Sequence, residues 1–325
     1  MRKRSRPAAL APLLLVLALA TAVSGCGSDG GGDGSDAKAA NGGAANEVPA
    51  THSIPRLVSV TDKSLPIEPY LPSDDEAQSF EQAAAKLRTR CMAGFGFTYN
   101  TPAPLNAYHP QSRTQLRYGS TDAKETATHG YKPAGSQGAG RTSRTRPQEL
   151  SPQESIALNG TDDPTVKPGS AEARGGQIVG GKKVPRGGCV GEAARKLGGG
   201  APQSYGEAPV ATKINTDSWA RSYNDKRVRA AFAKWSGCMK KQGYDYADPM
   251  KAGDDPRWQK SEYASAEEKR VATADAECKA SNNVVGIWFT VECAYQNQMI
   301  EANAEALAEV KKQRERQLKA LAGVN

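Results

Sequence analysis

A twelve-residue pattern that occurs twice constrains this chain more than any other feature of its sequence. The two copies are CMAGFGFTYNTP, starting at Cys91, and CMKKQGYDYADP, starting at Cys238. They share Cys, Met, Gly, an aromatic residue, Tyr and Pro at equivalent positions. Glycine commonly follows the C-terminus of a helix, and the residue before a proline favours extended backbone. Each copy therefore predicts the end of a helix followed by an extended segment.

Apolar residues recur at three- and four-residue steps before both cysteines, as they do along one face of a helix. This stripe consists of Phe80, Ala84 and Leu87 in the first copy and of Val228, Phe232 and Trp235 in the second. Ser73 and Glu76 predict a capping box where the first helix starts. Gly94 or Gly96 is expected to end that helix, and Gly243 to end the second. Each cysteine thus lies on the apolar face of a predicted helix.

The first residues of the chain indicate export. Four cations precede an apolar run from Ala8 to Val23, which is shorter than the ~20 residues of a membrane-spanning helix. A basic flank, a short apolar run and small residues at its end are typical of a signal peptide. The run ends in VSGC, which resembles the lipobox of bacterial lipoproteins. That resemblance implies a signal peptide over 1–25 and a fatty-acyl (palmitate) anchor on Cys26.

The next segment, 26–55, is a predicted flexible tether, because it has few large apolar side chains to offset the entropy of ordering. Four of the 43 Lys and Arg residues lie in the signal peptide, so 39 cations remain against 35 acids, a net charge of about +4. This balance gives no argument for nucleic-acid binding. We expect the lipid bilayer as a partner through Cys26, an envelope protein or a cell-wall polymer as a further partner, and no nucleic acid.

Five thiols remain once Cys26 is acylated, and outside the cytoplasm an odd number leaves one unpaired. Cysteine counting alone allows about 15 pairing schemes. Each copy of the pattern is followed by a second helical segment with a cysteine, CVGEAARKL from Cys189 and SAEEKRVATADAEC ending at Cys278. The simplest arrangement joins Cys91 to Cys189 and Cys238 to Cys278, so that each disulfide links a pair of helices.

Cys293 is then the unpaired thiol, in the last predicted helix. We expect a buried, unreactive thiol on an apolar face, with an intermolecular disulfide as the alternative. The segment 283–322 has no proline and is rich in helix formers, which predicts one long helix. Its apolar stripe fades after Gln313, so we expect the first half to pack on the domain and the second half to project, fray or contact a partner.

Residues 103–187 are rich in Gly, Ser and Arg and predict a loop-rich insertion between Cys91 and Cys189. Within it, SPQESIALNG carries the start and stop residues of a short helix, and TDAKETATHG predicts another. Two glycines, Gly180 and Gly181, separate two short β-type runs and predict a hairpin.

No residue pattern in the chain predicts a catalytic centre, a metal site or a cofactor. The histidines are His52, His109 and His129, which lie in the tether and the insertion, so we expect neither a zinc site nor a His-based triad. All four tryptophans follow residue 218 and are mainly expected in the core. Trp219 and Trp258, in segments without a predicted helix, are the candidates for stacking on a ligand.

Several stretches resemble a set of uncharacterised cell-envelope lipoproteins from actinobacteria. The resemblance rests on VSGC, the repeated CM…G(F/Y)xY…P pattern, RYGSTD, HGYKP, GGCVGEA and VATADAEC, and it covers most of the chain after the signal peptide. It implies an extracytoplasmic location and a shared architecture, without an assigned activity.

Together these patterns predict a mainly α, disulfide-braced helical domain with a long C-terminal helix and a loop-rich insertion carrying a short β-hairpin. The domain covers 56–325 and consists of two related halves, 56–102 with 188–200 and 218–281. Its expected role is that of a binding or accessory protein anchored to the outer face of the cell membrane, with no catalytic activity evident from the sequence. The alternatives are a scaffold that binds protein partners through the C-terminal helix and an envelope hydrolase with an unrecognised site.

Overall fold

The computed structural model describes residues 48–51, 53–101, 110–135, 148–200 and 205–324. As predicted, these residues are mainly helical and include one β-hairpin, of strands β1 (Ile178–Val179) and β2 (Lys182–Lys183). The helices are α1 (Asp74–Gly94), α2 (Ala123–His129), α3 (Pro152–Asn159), α4 (Gly188–Leu197), α5 (Pro209–Asn224), α6 (Lys226–Lys241), α7 (Pro249–Gly253), α8 (Ala266–Ser281), α9 (Val284–Ala302) and α10 (Ala304–Ala322). The predicted signal peptide, Cys26 and the tether up to residue 47 lie outside the described residues.

The first copy of the repeated pattern ends α1 in a Schellman motif. Gly96 adopts a left-handed conformation with φ of 86°. The N–H of Phe97 donates to the carbonyl of Met92 at 3.1 Å, and the N–H of Gly96 donates to Ala93 at 3.0 Å. These two bonds satisfy carbonyls that the helix end would otherwise leave without partners.

The second copy ends α6 with the same two bonds. Gly243 has φ of 87°, the N–H of Tyr244 donates to Met239 at 3.0 Å, and the N–H of Gly243 donates to Lys240 at 3.0 Å. The methionine is fully buried in both copies. The repeated Met, Gly and aromatic residue are therefore three positions of one helix-terminating motif.

The cysteine of each copy precedes that methionine and forms a disulfide with a later helix. Cys91 at the end of α1 joins Cys189 in α4, with a Cα–Cα distance of 5.6 Å. Cys238 in α6 joins Cys278 in α8, with a Cα–Cα distance of 5.7 Å. These are the two pairs that the sequence predicts.

Local start signals are also confirmed, with one difference. Ser73 and Glu76 form the complete capping box of α1, since each side chain bonds the other residue's backbone N–H. At α8, the Ser265 hydroxyl accepts from the N–H of Glu268 at 3.1 Å. The Glu268 carboxylate instead accepts from the N–H of Tyr131 at 3.2 Å, so that box is only half formed.

The predicted insertion contains α2, α3 and the hairpin, as expected, and it also contributes to the core. Tyr118 is 1% exposed and packs in the same cluster as Trp288. The Thr114 hydroxyl, fully buried, donates to the carbonyl of Val60 at 2.7 Å. Residues 110–120 are therefore part of the folded body rather than a surface loop.

The C-terminal helix is interrupted at Asn303, whose φ of −120° separates α9 from α10. The second half does not project from the domain. Leu307 and Leu321 are buried, and the Arg314 guanidinium pairs with Glu76 at 2.6 Å. The expectation of a projecting or frayed second half is wrong, because a few widely spaced apolar side chains suffice to pack α10 on α1, α4 and α5.

Buried apolar side chains form four clusters in the described part of the chain. The largest surrounds Trp235 and Trp288, between α6, α8 and α9. A second cluster joins 65–71 to α5 and α10, a third joins α1, α4 and α10, and a fourth joins α1, α3, α4 and the hairpin. Among these residues there is no helix long and apolar enough to cross a membrane.

Candidate functional site

Trp258, which the sequence offers as a ligand-stacking residue, is a core residue instead. It lies in a 3-10 turn, Pro256–Lys260, and is 4% exposed. Its indole N–H donates to the carbonyl of Ala252 at 2.7 Å, and the Arg257 guanidinium lies 4.7 Å from the ring centre. The prediction that Trp258 stacks on a ligand is therefore wrong, because its indole N–H and its ring both have partners within the protein.

Trp219 lies inside α5 rather than in a loop, and it is half-buried. Its ring stacks on Tyr223 with centroids 5.3 Å apart and meets Trp288 at 5.6 Å. Its indole N–H donates to the carbonyl of Arg117 at 3.2 Å. Trp219 therefore belongs to the margin of the aromatic core, and a stacked ligand would compete with these rings.

The buried carboxylates of the described residues each face a cation. They are Asp225 with Arg227, Asp248 with Arg229, Glu268 with Lys132, Asp275 with Lys279 and Glu292 with Arg117. Removing one partner of such a pair would leave a buried charge unpaired, which costs several kcal/mol, so each cation offsets the burial of its carboxylate. A hydrolase built on two facing carboxylates would need a different arrangement from these five pairs.

The pair of Arg117 and Glu292 anchors the insertion to α9. The Nε of Arg117 donates to both carboxylate oxygens, at 2.9 and 3.0 Å, and the Tyr118 hydroxyl donates to Glu292 at 2.8 Å. Burial and the charge of Glu292 raise the pKa of Tyr118 well above its usual value. Arg117, Tyr118 and Glu292 therefore form a buried hydrogen-bonded network that ties the insertion to α9.

Cys293 is unpaired, and it is half-buried rather than fully buried. Burial, with the neighbouring charge of Glu292, raises the pKa of its thiol to about 12, against the opposing effect of Arg117. The thiol is therefore protonated at neutral pH, and a protonated thiol is a poor nucleophile.

A surface groove of about 600 Å³ opens at the N-terminal end of α5, and we call it the α5 groove. Its side chains include Pro72, Arg113, Glu207, Thr212, Lys213 and Thr216. Helix α5 starts at Pro209 and has no side-chain cap. The N–H groups of its first turn therefore lack acceptors within the helix, and the positive end of the helix dipole faces the groove.

The α5 groove combines apolar side chains with hydroxyl groups and with charges of both signs. Arg113 is exposed and donates to the carbonyl of Pro72. Lys213 pairs with Asp217 at 2.6 Å, and Glu207 is exposed. Hydroxyls, both charges and free backbone donors suit a polar ligand with hydroxyl or acidic groups.

A small adjoining cavity of about 20 Å³ shares the backbone of Gly206–Ala208 with the groove. Gln317 from α10 is 3% exposed and lines it, and its Oε1 accepts from the N–H of Gly206 at 3.2 Å. Its Nε2 is buried and has no acceptor among the described residues. A buried donor without a partner costs about 1–3 kcal/mol. An acceptor atom in this cavity would remove that cost, and the space fits about one atom or water.

Sequence reasoning missed this site because it assigned no helix to α5. The available signals were Pro209 at the first helical position and the apolar residues Ala211 and Ile214 facing the core. Arg113, on the far side of the groove, is brought there only by the tertiary packing of the insertion.

Within the described ranges, no cluster of three or more His, Cys, Asp or Glu side chains is arranged to hold a metal ion. His52 and His109 lie outside those ranges, and His129 is the last residue of α2. Comparison with protein-family models, with curated proteins and with solved structures finds no match to this chain. The fold and the site therefore define only a structural class, that of a mainly α protein braced by two disulfides, with a surface groove at the start of α5.

Proposed function

We propose that this protein is a lipoprotein, anchored through Cys26 to the outer face of the cell membrane, which binds a component of the cell envelope. It belongs with the actinobacterial lipoproteins that its motifs resemble, and it acts as a binding or accessory protein. The observation that carries the proposal is the combination of VSGC before the tether with two disulfides in the folded part. Structural disulfides are rare in the reducing cytoplasm, so both features favour export.

The α5 groove is the proposed binding site. It supplies hydroxyls, a guanidinium, a carboxylate and an uncapped helix start to one concave surface. Such groups recognise sugar hydroxyls, acidic groups or peptide segments by hydrogen bonding. The buried Nε2 of Gln317 would donate a hydrogen bond to one further oxygen of such a ligand.

The anchor is tested by metabolic labelling with an alkyne analogue of palmitate in a bacterial host that matures lipoproteins. The wild-type chain and the Cys293→Ser variant should both carry label and fractionate with the membrane. The Cys26→Ser variant should lose the label and leave the membrane fraction in a high-salt wash, which screens contacts between exposed charges. Label that persists in Cys26→Ser, or wild-type protein found in the cytosol, contradicts the proposal.

The groove is tested by photocrosslinking in intact cells, with a benzophenone amino acid at Thr216. A matched probe at Ala127, exposed on α2 and remote from the groove, is the control. We expect a defined product from Thr216 that is absent from Ala127 and that a groove-filling Thr212→Trp substitution reduces. Identical products from both probes would exclude the groove as the binding site.

A further inference from the structure

Helix α6 presents an exposed face that carries only basic and small residues. The helix contains six Lys and Arg residues and no acidic residue. Its buried side holds Val228, Phe232, Trp235 and Met239. The opposite side consists of Lys226, Arg229, Ala230, Ala233, Lys234, Gly237, Lys240 and Lys241, all exposed. We call this side the basic face of α6.

Most of this charge is not neutralised by the protein. Arg229 pairs with Asp248 at 2.9 Å, and Lys240 pairs with Asp245 at 3.2 Å. Lys226, Lys234 and Lys241 form no ion pair with any described residue. Because the residues between the cations are alanines and a glycine, a flat surface can approach the helix closely.

The chain that leads back to Cys26 lies beside this helix. The Arg227 guanidinium at the start of α6 donates to the carbonyl of Pro49 at 2.9 Å. Arg56 donates to the carbonyls of Ala280 and Ser281 at the end of α8, each at 3.1 Å. The disulfide between α8 and α6 places that end next to the C-terminal part of α6. The described residues 49–51 and 53–56 therefore begin at the start of α6 and end near its disulfide-linked C-terminal part.

The same segment also exposes apolar side chains. Of the five large apolar residues that are exposed in the described part of the chain, Ile54 lies in this segment, and Val48 and Val58 lie within two residues of its ends. Exposed apolar side chains beside a basic helix face are typical of surfaces that contact a membrane interface. Only residues 27–47 separate Val48 from Cys26, and a Gly-rich coil of that length has an r.m.s. reach of about 25 Å.

We propose that the basic face of α6 docks on the anionic phospholipid headgroups of the bilayer that holds Cys26. The inference rests on the proposed lipid anchor, which keeps this face within a tether length of the membrane and raises its effective concentration there. Three unpaired lysines give the charge complementarity, and each contributes about fivefold to partitioning onto an anionic surface. Docking orients the protein and leaves the remainder of its surface to face the envelope.

The test uses the mature chain from residue 26 with Cys26→Ser, so that binding does not depend on acylation. Vesicles of phosphatidylglycerol and phosphatidylcholine at 1:1 are compared with vesicles of pure phosphatidylcholine by co-sedimentation at low salt. The α6 variant carries Lys226→Glu, Lys234→Glu and Lys241→Glu. The control variant carries the same charge change at exposed positions on α1 and α10, as Lys86→Glu, Arg90→Glu and Lys319→Glu.

We expect binding to the anionic vesicles only, a loss of at least about tenfold in the α6 variant and a change within about twofold in the control. Equal losses in both variants, binding to pure phosphatidylcholine or no vesicle binding would overturn the docking proposal. Binding to a soluble polyglycerol phosphate, which represents a wall polymer, without binding to vesicles would also overturn the docking proposal. Thermal unfolding by circular dichroism checks that both variants are folded. If the protein is labelled at Cys26 in cells but does not bind anionic vesicles, the docking proposal is overturned and the proposed lipid anchor still stands.

Discussion

At the scale of single residues, carboxylates cap and clamp the turns of this protein, and Asp255 shows how. Its side chain accepts from the N–H of Arg257 at 2.9 Å, which caps the turn Pro256–Lys260. It also accepts from the Arg257 guanidinium at 2.9 Å and from the Tyr246 hydroxyl at 2.7 Å. These hydrogen bonds, that of the Arg257 side chain above all, lower the pKa of Asp255 to about 2.

Replacing Asp255 with Asn should therefore produce a pH-dependent loss of stability. The amide keeps a capping oxygen and removes the charge. A carboxyl whose pKa is lower in the folded state contributes stability above its unfolded pKa, ~3.9, and loses it as the pH falls through 2. We expect a cost of about 2 kcal/mol at pH 7 that falls by more than half at pH 2.5, measured by urea unfolding.

Asp245→Asn is the matched control for this experiment, since Asp245 is 86% exposed and, among the residues that the structure describes, forms an ion pair only with Lys240. An exposed pair of this kind contributes about 0–1 kcal/mol, and salt screens it. If Asp255→Asn lowered the free energy of unfolding equally at both pH values, the charge of Asp255 would not be the cause of the loss.

At the scale of the elements, the sequence predicts those helix starts, helix ends and turns that depend on residues close together in the chain. The capping box at Ser73, the glycines that end α1 and α6 and the hairpin at 178–183 are local signals, and the structure confirms each. The packing of α10 and the groove beside α5 depend on distant contacts. The bond from Arg117 to Glu292, for example, spans 175 positions, and no periodicity in either segment encodes it.

Because backbone conformation decides the effect of a Gly→Ala substitution, two glycines of the same helix end, only two or six positions apart, should respond with opposite changes in stability. Gly96 and Gly243 have left-handed backbones, so alanine there should cost about 1–2 kcal/mol, although no atom lies within 4 Å of the added Cβ. Gly94 and Gly237 also have free space but lie in regular helix, so alanine should stabilise by about 0.5–1 kcal/mol. Urea midpoints of the four single variants measure the difference.

Each helix thus has an internal control, and both copies of the pattern should respond alike. If Gly243→Ala were as stable as Gly237→Ala, the Schellman motif would not be the reason for the repeated glycine. If only one copy responded, the two helix ends would not be equivalent in energy.

At the scale of the whole molecule, distant parts of the chain are joined by packing and by covalent bonds. Helix α10 contributes to two clusters, because Leu307 shares one with Ile214 of α5 and Leu321 shares another with Phe80 of α1, so it connects these two parts of the core. The disulfides connect α1 to α4 and α6 to α8. Truncation after Gln313 would remove buried side chains from the core, so it cannot test α10 as a free scaffold.

Removal of either disulfide should lower the stability of the folded protein by several kcal/mol. The bridges close 98 and 40 positions of chain, so each restricts the unfolded state strongly. Chain-entropy reasoning gives about 5 kcal/mol for Cys91–Cys189 and about 4 kcal/mol for Cys238–Cys278. Paired Cys→Ala variants are compared with wild type by urea unfolding without reductant, and the larger loss is expected for the longer loop. Cys293→Ala, which removes no bridge, should shift the free energy of unfolding by no more than about 1 kcal/mol. Unchanged midpoints in both paired variants would mean that packing alone holds the two helix pairs together.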